Sequence, residues 1–352
     1  MQGTSITSIS REELINLHDI LYNSRRNGES YFSEPCKEIL TEIYQGKSIF
    51  LFDSDFSALV IGLKSIGIDQ HDEVMISSIA SPILDLAIHS IGAIPVLVPV
   101  EKTNLNFSVA AIKSKLTNKT KAILVELFNG IFPEMDELIY FTAQHGLLLI
   151  EYSSNGLGAS YKYNPVGSFG NIGIIGFNNF QTPIQLGCFL IVNDSSLTKL
   201  MENNLNQNSI LALSELKAGI LLPNLRELDN LKELRKQVWN NYYNVLQVFE
   251  EEQRFSILGS DCLDSHNYSG FTLIFDEKEL GKELQGQLMD KEIESNYISS
   301  PNFTLLNLPF YAQLNEEEIL QICLHVSEFF GGEENQEAFL DIRKIFLDNL
   351  DF

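Results

Sequence analysis

The sequence predicts an α/β protein, with a large domain on a mostly parallel sheet covered by helices on both faces and a small α+β domain after it. Three observations carry this. From Ser48 onward, short apolar runs without polar alternation recur along the chain. Helical patterns of about ten residues separate them, as expected when strands are buried on both faces. After Val192 the alternation gives way to a long helical stretch, and a shorter mixed pattern follows.

In order, SIFLF is the first strand and Ala58 to Ser65 a helix; EVMIS is the next strand, Ile83 to Ser90 a helix, and IPVLVPV a strand. AILVELF, a helix over Met135 to His145 and LLLIEY continue the pattern, and NIGIIGF and CFLIV close it. Ser214 to Phe249 has helical spacing without strand interruption, which carries the chain into the second domain. There SGFTLIF, a helix from Lys278 to Asp290, FTLLNL and a helix from Glu316 to Phe330 give the α+β pattern. Past Gly331-Gly332, the residues Phe339, Ile342, Ile345, Phe346 and Leu350 recur at helical spacing in an acidic segment. The division read from this is an N-terminal helical arm over 1–46, a large domain over 47–235, a small domain over 236–331 and an amphipathic helix over 332–352.

Composition narrows the function. At 352 residues the chain can bury a core in each of two domains. A formal charge of −23 opposes phosphate backbones and anionic lipid, so neither nucleic acid nor membrane is expected as a partner. The opening MQGTSITSISREEL lacks a signal-peptide pattern and no long apolar stretch occurs, so a cytoplasmic location is expected. Cys36, Cys188, Cys262 and Cys323 form no CxxC pair, and the six histidines share no metal-ligand spacing, so no metal is expected. Asn155-Gly156-Leu157-Gly158 begins like a dinucleotide fingerprint, but the third glycine and the helix are missing.

GIDQHDEVMISS, HSIGAIPVLVPVEKTNLNFSVAAIKSKLTNKTKAILVELFNG, PEMDEL and AQHGLLLIEYSSNGLGASYKYNPVGSFGNIGIIGF together resemble the DegT/StrS family of pyridoxal-phosphate sugar aminotransferases, near those acting on nucleotide-linked keto-sugars. The resemblance is nearly ungapped from about Lys47 to Asp194. It implies a fold-type I architecture, with a mostly parallel seven-stranded sheet, a small C-terminal domain and a dimer with its active sites at the subunit interface.

The family's chemistry needs a lysine amine for covalent attachment of the cofactor and a carboxylate beside its pyridine nitrogen. In GFNNFQTPIQLG the lysine position holds Gln181, whose amide nitrogen is not nucleophilic. In EYSSN, Tyr152 stands at the aspartate and Asn155 at the glutamine. The phosphate cup, which favours small residues at a helix N-terminus, reads Ser54-Asp55-Phe56-Ser57. Gly176 replaces a phosphate-binding serine, Ser81 the aromatic that stacks on the ring, and Leu127 a pocket histidine. Two substrate-binding loops of the family also look shortened.

These departures define a degenerate cofactor pocket of Ser54, Asp55, Phe56, Ser81, Tyr152, Asn155, Gly176 and Gln181, from which no bound cofactor and no catalytic residue are expected. Asn178, Asn179 and Gln185 are possible ligand contacts in the same region, where the polar groups either bind a neutral ligand or satisfy one another across a filled cavity. The leading reading is a catalytically inactive relative, a structural or regulatory partner in surface-polysaccharide or nucleotide-sugar metabolism, forming a homodimer or a heteromer with an active enzyme. An alternative is a cofactor-free sugar-nucleotide-binding protein or enzyme. A working aminotransferase would need its lysine elsewhere; Lys162 and Lys199 are nearest in sequence, and neither follows GIIGF at the expected place.

Overall fold

The computed structural model describes residues 9–23, 31–180, 182, 184–207, 211–261 and 267–331. The described residues fall into two units. One takes those up to Asn230 together with Asp261 and Asn267; the other takes 231–260 and 268–331.

The larger unit opens with helices α1 (Arg11–Asn23) and α2 (Ser33–Ile43). Ser10 and Glu13 start α1 as a capping box, the Glu13 N–H donating to the serine hydroxyl at 3.2 Å and the Ser10 N–H returning to the carboxylate. There follow β1 (Ser48–Phe52), α3 (Asp55–Ser65), β2 (Glu73–Ser77), α4 (Pro82–Ser90), β3 (Ile94–Val98), α5 (Val109–Lys115), β4 (Thr120–Glu126), α6 (Met135–His145) and β5 (Leu148–Ser153). A small hairpin, β6 (Ser160–Tyr161) and β7 (Asn164–Pro165), precedes β8 (Ile172–Gly176) and β9 (Cys188–Val192). Helices α7 (Thr198–Gln207) and α8 (Glu215–Arg226) follow, and α9 (Leu228–Glu251) leads out of the unit.

The sheet order is β1-β9-β8-β5-β4-β2-β3. β2, β3, β4, β5 and β8 pair in parallel, and β9 runs antiparallel to both β8 and β1. This is the expected fold-type I arrangement of seven strands. β4, β5, β8 and β9 are almost wholly buried, which is why they read as continuous apolar runs. β3 is the sheet edge, so Ile94 and Leu97 in its apolar run are exposed. The helical stretch expected from Ser214 consists of two helices, separated at Glu227. The N-terminal helices rest on α8: Asn16 Nδ2 donates to the Gly219 carbonyl at 2.8 Å, and the Glu215 carboxylate accepts the backbone N–H of Phe32 (2.6 Å) and Ser33 (3.3 Å) at the start of α2.

The smaller unit holds an antiparallel sheet in the order β10-β11-β13-β12, from β10 (Ser256–Ile257), β11 (Phe271–Phe275), β12 (Asn296–Ser299) and β13 (Thr304–Leu308). Helices α10 (Lys278–Asp290) and α11 (Glu316–Gly331) complete it, around a core that includes Trp239, Tyr242, Phe271 and Leu306. The expected amphipathic helix over 332–352 lies outside the described residues. Among the described residues, no helix is long and apolar enough to cross a membrane.

Candidate functional site

Ligands of open α/β sheets bind beyond the carboxyl ends of the parallel strands. Here β1, β2, β4 and β5 deliver Asp53 to Ser57, Ser77 to Ser81, Glu126 to Gly130 and Tyr152 to Asn155 to that edge. The first turn of α3 is the anion-competent part. Ser54 caps the helix in extended conformation, its Oγ accepting the Ser57 N–H at 3.2 Å and lying 2.8 Å from the Ser57 hydroxyl. The leading N–H groups of any helix lack intrahelical acceptors and favour negative charge.

Asp55, the first residue of α3, is 2% exposed, and so is Tyr152. The Tyr152 hydroxyl donates to Asp55 Oδ2 at 2.8 Å. Asp55 Oδ1 is buried with no hydrogen bond among the described residues, and the Cys188 thiol also faces this carboxylate. Burial pushes the Asp55 carboxyl above its ordinary range, against the opposing pull of Tyr152 and Cys188. The Tyr152 phenol is pushed up in turn, by burial first and then by the Asp55 charge.

Glu126, at the end of β4, is the second buried acid. It accepts the Ser81 N–H at 2.8 Å and the Ser81 hydroxyl, and burial raises its carboxyl against those two bonds. Its charge also acts on Tyr152. Beyond β5, Asn155 Nδ2 donates to Asn129 Oδ1 at 3.0 Å, and Asn267 Nδ2 donates to the Asn155 carbonyl at 2.6 Å. Asn129 has φ +50°, a left-handed conformation that asparagine tolerates. Gly176 is explained by crowding: a Cβ there would lie 2.5 Å from the Ser154 carbonyl oxygen, so the serine of the resemblance has no room.

Of the predicted residues, the structure thus joins Asp55 to Tyr152 and places Ser54 and Phe56 beside them. Ser81 and Asn155 are held by neighbours on adjacent strands. Asn178 and Gln185 are exposed. Gln181 lies outside the described residues, as does the side chain of Asn179. The sequence reading missed Glu126, Asn129, Asn267 and Lys217. Lys217 Nζ donates to the Asp53 carbonyl (2.9 Å) and Oδ2 (2.8 Å), immediately before the Ser54 cap. Burial opposes ionisation of Asp53, but bonds from Lys217 and Ser214 together hold its carboxyl below the ordinary range. A carboxylate ending the apolar run AILVE was a usable sign of Glu126; Lys217 gave none. Among the described residues, no group of three or more His, Cys, Asp or Glu could hold a metal ion.

The profile of the DegT/DnrJ/EryC1/StrS aminotransferase family matches residues 50–323. The chain belongs to this family. A relative, the GDP-perosamine synthase of Escherichia coli O157:H7, is 24% identical over 312 residues, covering 78% of this chain and 83% of its own. Among solved structures, Helicobacter pylori PseC, an aminotransferase involved in the biosynthesis of pseudoaminic acid, superposes with a TM-score of 0.80 at 19% identity, covering 92% of this chain and 97% of that one. The putative sugar aminotransferase Spr1654 of Streptococcus pneumoniae reaches 0.81 at 17% identity in two forms. Its PMP-form covers 96% of this chain and 98% of that one, its PLP-form 92% and 97%.

These findings correct one expectation. A chain of the DegT/DnrJ/EryC1/StrS family, whose fold is shared by a protein solved in PLP- and PMP-forms, points to a pyridoxal-phosphate cofactor, so the expectation of no cofactor fails. That expectation rested on Gln181 at the lysine position, Tyr152 at the aspartate, Asp55 and Phe56 in the phosphate cup, and Gly176, Ser81 and Leu127 at further pocket positions. In the structure Tyr152 belongs to the hydrophobic core and Phe56 packs against it. Of the residues present, Ser54, Ser57 and the α3 N-terminus suit its phosphate, whereas Asp55 Oδ1 is fully buried and closed to it.

Proposed function

We propose that this chain binds pyridoxal or pyridoxamine phosphate without a covalent link and does not transaminate. It serves as a structural or regulatory member in nucleotide-sugar or surface-polysaccharide metabolism, as a homodimer or beside an active enzyme of the family. The observation that carries this is Gln181 at the lysine position of GFNNFQTPIQLG, since an amide can neither attack an aldehyde nor shuttle a proton. When bound, the group supplies an electron sink for bonds to the carbon on the amine nitrogen. Ser54, Ser57 and the first turn of α3 would hold its phosphate, and the aminated form needs no lysine to stay bound. That the relatives include a GDP-perosamine synthase and a spore coat polysaccharide biosynthesis protein supports the metabolic setting.

The test is reconstitution with each form of the cofactor, followed by borohydride reduction, intact mass and an assay of amino transfer from glutamate. Retained cofactor with no covalent mass and no transfer is expected. A covalent adduct in the wild-type chain, or turnover, overturns the reading. Gln181→Lys is expected to gain the covalent adduct.

A further inference from the structure

Between Glu12 and Asn23 the side chains that α1 exposes are Leu14, Ile15, His18, Leu21 and Tyr22. The four apolar ones are each more than half exposed, and the His18 ring stacks on that of Tyr22 with centroids 4.5 Å apart. They stand three and four positions to either side of His18, which on an α-helix confines all five to a face about 120° wide. We propose that this face is the interface with a second copy of this chain, the two α1 helices packing antiparallel about a two-fold axis at His18. The inference goes beyond the reading above, which leaves a second copy and an active enzyme of the family open as partners, and it holds with or without a cofactor.

The opposite face of α1 is the one turned to its own chain. There Asn224 Nδ2 donates to the Glu13 carboxylate at 2.6 Å, Asn16 Nδ2 donates to the Gly219 carbonyl at 2.8 Å, and a Cβ on Gly219 would lie 2.8 Å from Ile20. The outward stripe is therefore held in place by α8 and has no role in holding α1. Contiguous apolar surface of this kind marks an interaction site more often than scattered apolar residues do. Three observations select a second copy as its occupant. The stripe is its own complement: about a two-fold axis each position meets the one equally far on the other side, so Leu14 meets Tyr22, Ile15 meets Leu21, and only His18 meets itself. Charge agrees with this. Two copies at −23 repel over most of their surface, but the stripe carries no acid. Glu12, before it, is paired with Arg226 at 2.8 Å, and Asp19, 3.8 Å from the His18 ring, stands off the stripe by one residue's turn of the helix. Copies can thus meet there without burying an unpaired carboxylate. The area is also sufficient. The exposed parts of the five side chains come to roughly 600 Å², most of the ~800 Å² that each partner in a standard interface buries, and a polar rim would supply the rest.

The test is sedimentation velocity of the full chain at micromolar concentration, with cross-linking of His18→Cys by a short bismaleimide. A wild-type dimer is expected. Leu21→Asp should raise its dissociation constant about a hundredfold or more, because the symmetry counts each substitution twice. Leu21 is exposed, so the variant should keep the circular dichroism of the wild type. His18→Cys should give a covalent dimer that the wild type, treated alike, does not. A monomeric wild type, a Leu21→Asp variant that dimerises as tightly as the wild type, or a His18→Cys variant that does not cross-link each overturns the proposal, as does a chain that associates only with an active enzyme of the family. Cofactor retention is measured separately, so none of these results decides the functional reading.

Discussion

Glu151→Gln tests how the sheet is tied to the site. The Glu151 carboxylate is fully buried beside Tyr152, and it accepts three backbone N–H groups of the turn before β8: Gly167 on Oε2 at 2.8 Å, Phe169 and Gly170 on Oε1 at 2.6 and 2.8 Å. Asn193 clamps the same turn, donating to the carbonyls of Gly167 and Gly170. A glutamine oxygen can keep the Phe169 and Gly170 bonds, now without charge assistance. Its NH₂ then faces the Gly167 N–H, donor against donor. One lost bond to a charged acceptor is worth about 1.5–3 kcal/mol, and weakening of the other two brings the total to roughly 2–4 kcal/mol. For a unit of this size that lowers the melting temperature by about 4–16 °C. Calorimetry with urea unfolding measures it, against Asp136→Asn, which breaks a solvent-exposed ion pair with Lys162 and should change nothing measurable. A Glu151→Gln protein melting within a degree of wild type would show that the carboxylate does not hold the turn.

Gly187→Ala should destabilise by about 2–4 kcal/mol, since φ is +84° and the new Cβ would lie 2.2 Å from the Phe52 carbonyl oxygen; chemical unfolding reads this directly. Lys217→Met removes two bonds to Asp53 from a partly exposed pair, so about 1 kcal/mol is expected, with faster amide exchange at the start of α3. The wild type should lose stability relative to Asp55→Asn as pH rises from about 4 through the raised folded value, because in that window the folded carboxyl holds a proton that the unfolded one has released. Paired urea titrations across pH check this, and a difference that does not vary with pH would deny the burial effect.

The sheet was legible because its central strands are buried on both faces, and apolar runs separated by helices admit few other arrangements. What escaped had weak local signals. The hairpin of β6 and β7 turns through Lys162 and Tyr163 at positive φ, where asparagine and glycine would have announced it. β12, NYIS, is a half-exposed mixed strand. In the site, Ser54, Asp55 and Tyr152 were named individually, but the bond between Asp55 and Tyr152 spans 97 residues and no local pattern encodes it. The cofactor expectation failed because it was read from single substituted positions, whereas the family is carried by the match over residues 50–323.

That pairing bears on how the site came to differ from the family pattern. Loss of function without replacement leaves polar groups stranded as their partners drift, at about 1–3 kcal/mol for each buried orphan. Here the substituted positions have neighbours that meet them. Tyr152 meets Asp55, Ser81 meets Glu126, Asn155 meets both Asn129 and Asn267, and Gly176 makes way for the Ser154 carbonyl. Each pair joins different strands or loops. A site under no constraint other than stability would settle most cheaply by replacing buried acids with apolar side chains of similar volume. Asp55 and Glu126 are both buried acids, and both sit where the parallel strands end. Stability alone does not account for keeping them, and among the described residues Asp55 Oδ1 has no hydrogen bond.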